Sequence, residues 1–501
     1  MENKKYLLGF DMGTSGLKCV ALDPVSGERH SVYSEWTLLT PKQGYAEFDC
    51  DELWYHIVKC IRELKTEHGL DLSLIRSIGF CALCPGLIAL AEDGRELSRC
   101  IIFMDARSGE ENAFIQERIP FEQSFPIISN RIMSGATSIT SILWIKNHMP
   151  ELYEKTKFFV HLPSWAGYKL TGKVRMDLSN AAGTGLYNVH KQQWSATMAN
   201  AAGIDIEKLP SLAVATEPLG TVVNQELLEL GIKPDTIVSC GAGDTVCALL
   251  ALGIEEGTAM LSLGTSHVLY AVCNRDRFNP ALMARSYVFR DTWAEGGAMS
   301  NPGAMLRWFR DGFCKDLSAL GKSCGKSAYQ LIDEEAAAVE PGSGGVICLP
   351  YINGERSPVY DSSARAVFSG VNLNTERGHI SRAIMEGAGY GIRQILELLD
   401  QGHDEPIKEV HVVGGGSKSD FLVQIMADIT GRRLVVRDLP DAGALGAAMT
   451  AAMAAGIMAP GDKLPIEVSH KEFIANGENK AVYDSAYKKY LQLYPSMKHL
   501  F

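Results

Sequence analysis

The chain has 501 residues, of which 46 % are hydrophobic and 21 % are charged. This balance excludes a largely disordered protein, because enough apolar surface is present to offset the entropy of ordering. At roughly 100–200 residues per domain, the length predicts about two to four domains. The 48 basic and 59 acidic residues give a formal net charge of −11, which argues against nucleic acid and anionic membranes as partners.

The N-terminal segment MENKKYLLGFDMG does not fit a secretory signal peptide, because its apolar stretch is short and is followed directly by Asp11. No run of about 18 apolar residues predicts a membrane span. Cys81 and Cys84 form a C-x-x-C pair, but no second pair follows at zinc-ribbon spacing. A redox or metal pair is one interpretation. We favour buried apolar cysteines in a reducing compartment, and we therefore expect a cytoplasmic protein.

The first predicted element is a β-hairpin. Residues 6–10 and 17–22 are typical of strands, and the glycine- and hydroxyl-rich residues 12–16 between them are typical of a turn. A third strand is predicted near 30–38 and a helix over 51–68. Further strands follow near 75–81 and 87–90.

A second hairpin of the same kind is predicted in the other half of the chain. Residues 258–263 and 267–272 are strand-like, and Gly-Thr-Ser forms the tip at 264–266, as it does at 13–15. The two tripeptides are 251 residues apart, since 264 − 13 = 251. Such repetition predicts two related domains, which we assign to residues 1–250 and 251–501.

The last predicted elements surround a third glycine-rich loop. A strand is predicted over 409–413, a loop over 414–419 and a helix over 420–430. A helix of small residues follows from Asp441 to about Ala455, and we expect it to pack closely against its neighbours.

Each of these three loops by itself is more typical of an ordinary tight turn. Together they favour a cleft that binds a polyphosphate, because glycine lets backbone N–H groups approach phosphate oxygens without obstruction by a Cβ atom. Other phosphate and hydrolase motifs are absent from the sequence. The nearest approach to a P-loop, residues 167–174, ends in Val174 where Ser or Thr would be needed to hold Mg²⁺. No G-x-G-x-x-G motif, zinc-protease motif, serine-hydrolase elbow or protein-kinase catalytic loop is present.

Two aspartates lie at the predicted strand ends. Asp11 directly precedes the first hairpin tip, where it could associate with Mg²⁺ or cap the turn. Asp244 follows the apolar stretch 236–238 at the predicted start of a helix. It could be an N-cap, or the base that takes a proton from an attacking hydroxyl.

Four spaced segments give the chain a family resemblance. The most specific is 349–391, which contains Gly354-Glu355-Arg356-x-Pro358. The opening 9–15, the segment 241–244 and the loop 414–419 also match. With these segments in this order, the chain resembles the FGGY carbohydrate kinases of the actin-like/hexokinase ATPase superfamily. The resemblance extends from residue 8 to about residue 455.

The resemblance implies an α/β fold with two RNase H-like, actin-like ATPase domains flanking a deep catalytic cleft. Domain 1–250 would bind the sugar and supply the base, and domain 251–501 would bind the nucleotide. The implied reaction transfers the γ-phosphate of ATP, with Mg²⁺, to a hydroxyl of a small sugar. A ketopentose such as xylulose is the leading acceptor class. Sugar kinases of this type often form dimers, so a homodimer is also expected.

Carried over by position, the resemblance assigns Asp244 as catalytic base and sugar contact, and Asp11 as the magnesium-associated carboxylate. The implied ATP-binding residues are Gly13, Thr14, Ser15, Lys18, Gly264, Thr265, Gly414, Gly415, Gly416 and Ser417. The implied sugar-binding residues, besides Asp244, are Cys84, Pro85, Gly86, Asp105 and Arg107.

Several positions depart from the xylulokinase-like pattern. Cys84-Pro85 stands in place of Met-His, Phe103 replaces a tryptophan, and His267 stands where a glycine often follows Gly-Thr-Ser. Other ketoses, polyols and sugar acids therefore stay open as substrates. A non-catalytic sugar-sensing protein on the same scaffold is a further alternative. An actin- or chaperone-like ATPase is another, although the Gly-Glu-Arg-x-Pro segment argues against it.

Overall fold

The computed structural model describes residues 5–402, 405–466 and 468–501, and the chain forms two compact units. The first unit contains the chain up to Gly253, together with Ala284–Ala294 and the segment from Pro440 to Ile466. The second contains Ile254–Met283, Glu295–Leu439 and Val468–Phe501. After Gly253 the chain therefore returns to the first unit twice. The spacing of the sequence motifs does not predict these returns.

The strands are numbered in chain order. Strands β1 to β15 are Tyr6–Met12, Gly16–Leu22, Arg29–Glu35, Glu47–Phe48, Ile75–Ala82, Gly86–Leu90, Cys100–Ile102, Phe158–His161, Met176–Asp177, Tyr187–Asn188, Gln193–Trp194, Leu212–Ala213, Pro218–Thr221, Ile237–Ser239 and Ala242–Gly243. Strands β16 to β24 are Thr258–Leu263, His267–Cys273, Met283–Ser286, Trp293–Met299, Ile347–Leu349, Val367–Ser369, Glu409–Val413, Arg433–Arg437 and His470–Phe473.

The α-helices are numbered in the same way. Helices α1 to α10 are Cys50–Thr66, Gly109–Arg118, Phe121–Ile128, Ser138–His148, Pro150–Lys155, Leu162–Thr171, Leu178–Ala182, Ala196–Ala202, Gln225–Leu230 and Asp244–Ala251. Helices α11 to α17 are Pro302–Phe313, Lys315–Cys324, Ala328–Ala337, Arg377–Asp400, Asp420–Thr430, Ala442–Ala454 and Lys480–Met497. In the described part of the chain, no helix has both the length and the apolar character needed to cross a membrane.

The main sheet of the first unit has the strand order β13-β14-β5-β1-β2-β3. The predicted hairpin is confirmed, since β1 and β2 pair antiparallel. Strand β1 also pairs parallel with β5, which places Asp11 beside Cys81. The short strand β15 pairs parallel with β5 as well, and places Ala242 on the other side of Cys81. Because parallel strands end at one edge of the sheet, this register brings Asp11 and the start of α10 to the same edge.

Strand β1 is buried on both faces, and its successive side chains point alternately to one face and to the other. Leu8 and Phe10 belong to the apolar core that includes residues of α1 and α6. Leu7 and Gly9 face α16, where a Cβ atom on Gly9 would collide with the carbonyl oxygen of Ala444. Alternation places Asp11 on this same side. The small residues of α16 therefore let it lie directly against the sheet, next to Asp11.

The second unit repeats this strand pattern. Its strands lie in the order β19-β17-β16-β22-β23-β24, with β16 and β17 forming the second predicted hairpin. As β1 does with β5, the first strand of this hairpin pairs parallel with a later strand, β22. The predicted helix over 420–430 is also confirmed as α15. Since β16 and β22 are parallel, the hairpin tip at 264–266 and the loop 414–419 both lie at the carboxyl edge of this sheet.

Candidate active site

Asp244 is the first residue of α10 and not its N-cap, which is Gly243. Its Oδ1 atom accepts hydrogen bonds from the Thr245 amide, at 2.5 Å, and from the Thr245 hydroxyl, at 3.1 Å. Burial raises the pKa of this carboxyl, and the Arg285 guanidinium opposes that rise. Asp244 is thus a desolvated carboxylate with an increased affinity for protons, as a general base requires.

Asp11 and Asp244 influence each other electrostatically. Burial, followed by the negative charge of Asp244, raises the pKa of Asp11 to about 6, while the nearby Lys18 lowers it. A Cβ atom on Gly443, in the first turn of α16, would lie 2.7 Å from Asp11 Oδ2, so the absence of a side chain at Gly443 leaves room for this carboxylate. Two mutually repelling carboxylates at one sheet edge create a site that would favour a cation.

Arg285 belongs to the same site, although no sequence motif marks it. A Cβ atom built on Gly243 would lie 3.8 Å from Arg285 Nη1, so the guanidinium is next to the residue that precedes Asp244. Burial raises the pKa of the Cys84 thiol to about 12, and the positive charge of Arg285 acts against this rise. Arg285 therefore lies near both the predicted base and the predicted sugar contact Cys84.

A buried polar layer fixes the backbone beneath Asp244. Asp177 is the N-cap of α7, accepting the amides of Ser179 and Asn180 at 3.0 Å and the Ser179 hydroxyl. The Ser179 hydroxyl oxygen in turn accepts the amide of Gly243 at 2.9 Å. Burial raises the pKa of Asp177 to about 6. The hydrogen bond to Ser179 therefore restrains the backbone directly before Asp244.

Cys84 and Pro85 lie between β5 and β6, and their peptide bond is cis. The half-buried Cys84 Sγ lies 4.0 Å from Nδ1 of the buried His161, and Gly86 begins β6. His161 is also in contact with the Ser138 hydroxyl, at 2.7 Å from Nε2, and burial lowers its pKa to about 4. The imidazole is therefore neutral at neutral pH.

Asp105 and Arg107 bind each other. Asp105 is buried and accepts hydrogen bonds from the Ala46 amide at 2.7 Å and from Arg107 Nη2 at 2.7 Å. Arg107 also pairs with Glu47 at 2.5 Å, and its guanidinium lies 3.7 Å from the centre of the Tyr45 ring. In this arrangement the Asp105 carboxylate organises Arg107, and the aromatic face of Tyr45 covers the guanidinium.

The first hairpin tip is closed by a hydrogen bond from the Gly13 amide to the Gly16 carbonyl at 2.9 Å. Thr14 is half-buried and Ser15 is exposed. Lys18 follows on β2, with its ammonium 3.7 Å from Asp441 at the start of α16. The tip therefore presents two hydroxyls and one ammonium in the region of Asp11.

The second unit contains a cavity of about 560 Å³. Its lining combines polar groups, including Thr265, Arg307 and Lys418, with the apolar side chains of Tyr329 and Leu422. The remaining lining residues are Leu263, Gly264, His267, Pro302, Gly303, Leu306, Ser327, Gln330, Asp333, Ile384, Met385, Ala388, Gly415, Gly416 and Ser419. A cavity of this size and mixed character suits a small organic ligand that has both apolar and charged parts.

Arg307 and the loop 414–419 shape this cavity. Arg307 Nη2 donates to the Thr265 hydroxyl at 3.1 Å. Gly414 has φ +91°, and Ser417 donates its hydroxyl to the Gly414 carbonyl at 2.7 Å, so these two residues form the turn that presents Gly415 and Gly416 to the cavity. The left-handed backbone conformation at Gly414 is one that a residue with a Cβ atom rarely adopts.

His267 also lines the cavity. It is 4 % exposed, and burial lowers its pKa to about 3, so the ring is neutral. Among the described residues, its Nδ1 atom has no hydrogen-bond partner. His267 is therefore a buried neutral ring in the wall of the cavity.

The structure brings together residues that sequence motifs do not connect. Arg285, Asp177 and Ser179 join Asp244 in the first unit, and Arg307 and Asp333 join the glycine loops of the second. None of these residues lies in a spaced glycine or carboxylate motif. A search for charged residues at strand ends would have found Asp177, whereas the position of Arg285 depends on the chain's return to the first unit.

Comparisons with known proteins find similar sequences along almost the whole chain. The model for the FGGY family of carbohydrate kinases, N-terminal domain, matches residues 6–251, and that for the C-terminal domain matches residues 259–455. A xylulose kinase of Lactococcus lactis subsp. lactis (strain IL1403) is 28 % identical over 99 % of this chain and 97 % of its own length. A gluconokinase of Bacillus subtilis (strain 168) is 26 % identical over 93 % of each chain.

A solved structure confirms the expected fold. The crystal structure of a xyloylose kinase from Brucella ovis superposes with a TM-score of 0.89 at 26 % identity, covering 99 % of this chain and 100 % of that one. The expectation of two α/β domains of the actin-like ATPase type is therefore confirmed.

Proposed function

The chain belongs to the FGGY family of carbohydrate kinases, and from this premise we propose that it transfers the γ-phosphate of Mg-ATP to a hydroxyl of a ketopentose such as xylulose, with Asp244 as general base. Membership of the family makes the protein an ATP-dependent sugar kinase. Similarity along almost the whole chain to a xylulose kinase supports the choice of a ketopentose.

The observation that carries the proposal is the setting of Asp244. Its carboxylate is held by Thr245, and the backbone before it is held through Ser179. Burial raises its pKa, which increases its affinity for the proton that an acceptor hydroxyl loses. Because phosphoryl transfer has a loose transition state, alignment supplies most of the rate and the base contributes about 10²–10⁴-fold.

The residues present fit a magnesium ion that arrives with the nucleotide. Asp11 and Asp244 are carboxylates whose negative charges repel, and a cation held by Asp11 would relieve this repulsion. Mg²⁺ keeps most of its waters and is shared with phosphate oxygens, so one or two carboxylates would be enough to hold it. Asp11 would associate with the ion, which would neutralise phosphate charge.

The cavity of the second unit is the proposed nucleotide site. Thr265 and Arg307 would contact phosphates, since a guanidinium forms strong charge-assisted hydrogen bonds with them. The apolar walls at Tyr329 and Leu422 would enclose the adenosine moiety. The proposal also keeps Gly13, Thr14, Ser15 and Lys18 as phosphate contacts, Cys84, Pro85 and Gly86 with Asp105 and Arg107 as the sugar side, and a homodimer as the family expectation.

A sugar acid is the second candidate substrate, and Arg285 is the observation that favours it. A guanidinium next to Gly243 could pair with a substrate carboxylate, and a gluconokinase is among the similar proteins. Measurement of ADP formation with xylulose, ribulose, xylitol and gluconate separates the candidates. If gluconate is the substrate, Arg285→Ala should raise its KM at least tenfold. If xylulose is preferred and gluconate is inactive, the sugar-acid candidate is excluded.

The role of Asp244 is tested by Asp244→Asn. We expect turnover to fall by about 10²–10⁴-fold with ADP binding retained, because the amide preserves shape but cannot accept a proton. Asp51→Asn, which changes an exposed carboxylate in the first turn of α1, is the matched control and should leave turnover unchanged. Near-normal sugar-dependent turnover in Asp244→Asn would refute the assignment.

A further inference from the structure

The hairpin tip at 264–266 is attached to the segment that follows β19. The Ser266 hydroxyl donates to the Ser300 carbonyl at 2.7 Å, and the Gly303 amide donates to the Thr265 carbonyl at 3.1 Å. Within the tip, the Gly264 amide donates to the Ser266 carbonyl at 3.0 Å. Any shift of Ser300 would therefore be transmitted to the tip, whose Gly264 and Thr265 line the cavity.

Ser300 is held in turn by Glu355. The Ser300 amide donates to Glu355 Oε1 at 2.5 Å, and the Arg356 amide donates to the same oxygen at 2.8 Å. Arg356 Nε also donates to the Ser300 hydroxyl at 3.3 Å. Ser300 lies between the end of β19 and the start of α11, so neither a sheet nor a helix pairs its amide, and the carboxylate takes that place.

The hydrogen bonds of Glu355 do not fully compensate the burial of its carboxylate. It is 4 % exposed, and its Oε2 atom has no hydrogen-bond partner among the described residues. A buried carboxylate with an unsatisfied oxygen lowers the stability of the fold. A functional need for its charge would explain why it is there. Glu355 is not among the residues that line the cavity, and its contact with Ser300 connects it to the hairpin tip, which does line it.

We propose that Glu355 is a positioning residue for the phosphate-binding hairpin, and that its ionised form is the one that fixes the tip for ATP. The proposal rests on the nucleotide site assigned above. An ionised carboxylate accepts two amide hydrogen bonds more strongly than a neutral carboxyl does. Protonation would weaken the contact with Ser300 and loosen the tip, so ATP would bind less tightly.

The surroundings of Glu355 bring the protonation of its carboxylate close to neutral pH. Burial raises its pKa to about 7, and the amides of Ser300 and Arg356 and the charge of Arg356 act against the rise. The other titratable groups that face it are the phenols of Tyr351 and Tyr490, whose pKa values burial raises well above their ordinary range. These phenols stay neutral, so Glu355 is the group here that changes charge between pH 6 and 8.

The test measures ATP and ADP affinity by calorimetry, and KM for ATP and for the sugar, at pH 6 and pH 8. ATP phosphate itself titrates near this range, so the quantity compared is the ratio of variant to wild type at each pH. For Glu355→Gln we expect ATP affinity about five- to tenfold weaker at pH 8 and nearly equal to wild type at pH 6. The KM for sugar should be unchanged at both pH values.

Two further variants keep the test decisive. Ser266→Ala removes the contact with the Ser300 carbonyl, through which the state of Glu355 reaches the tip, and should weaken ATP binding more at pH 8 than at pH 6. Glu295→Gln is the matched control. Glu295 is buried like Glu355, and its Oε2 also has no partner among the described residues, but its other oxygen accepts the amide of Asn279 and not that of Ser300. It should leave ATP affinity unchanged.

The outcomes separate this proposal from the function on which it rests. If the wild type binds ATP but Glu355→Gln matches it at both pH values, or weakens sugar and ATP equally, the positioning role is overturned. If the wild type binds no nucleotide, the proposed function fails, and the role of Glu355 fails with it.

Discussion

Replacement of Asp11 by asparagine should stabilise the folded protein while impairing its use of magnesium. The structure places this carboxyl where burial and the charge of Asp244 raise its pKa to about 6 from the ordinary 3.8. A difference of this size makes the ionised form less favourable in the folded than in the unfolded chain by about 3 kcal/mol, because each pKa unit corresponds to about 1.4 kcal/mol. Asparagine keeps the shape and removes the charge.

The sign and the pH window follow from the direction of the pKa change. The folded state holds the proton more tightly than the unfolded state, so ionisation destabilises the wild type as pH rises from about 4 to 6. The stability advantage of Asp11→Asn should therefore be about 3 kcal/mol at pH 8 and roughly half of that at pH 5. Urea unfolding of the full chain at both pH values measures it.

Asp23→Asn is a control of opposite sign. Although burial raises the pKa of Asp23, hydrogen bonds from the Val25 amide and the Ser26 hydroxyl lower it overall. This variant should therefore lose stability at pH 8, with the loss shrinking as pH falls below about 4. If Asp11→Asn is no more stable than wild type at pH 8, or its advantage does not shrink at pH 5, the electrostatic account of Asp11 is wrong. Asp11→Asn should also require a higher Mg²⁺ concentration than the wild type for half-maximal turnover.

Two other substitutions test packing and the nucleotide cavity. Gly9→Ala should destabilise the protein by about 1–3 kcal/mol in urea unfolding, because its Cβ atom would collide with the backbone of α16, whereas Gly109→Ala has open space and should not. Arg307→Ala should raise the KM for ATP about tenfold with little change in kcat, because the proposed contact of its guanidinium with phosphate and its hydrogen bond to Thr265 are lost. Lys322→Ala, which removes an exposed ammonium on α12, should change neither value, and an equal effect there would show that Arg307 acts only through net charge.

Local patterns were sufficient for the elements that carry the loops. The alternation around residues 6–22 and 258–272 predicted both hairpins, and the helix over 420–430 has the predicted bounds. These elements depend on neighbours within a few residues, so their signals are present in short windows of sequence. The roles of Asp11 and Asp244 stay predictions, but the parallel register with β5 gives a physical reason for their proximity.

What the sequence determined by itself was the family, the two hairpins and the chemical character of their tips, because glycine, hydroxyl and carboxylate residues stand there at fixed spacing. The tertiary structure decided which distant residues complete the site. Arg285 comes beside Asp244 because Ala284–Ala294 returns to the first unit, and Glu355 reaches the hairpin through Ser300. Such contacts depend on which buried faces pack together over long chain separations, and that packing leaves no short-range pattern.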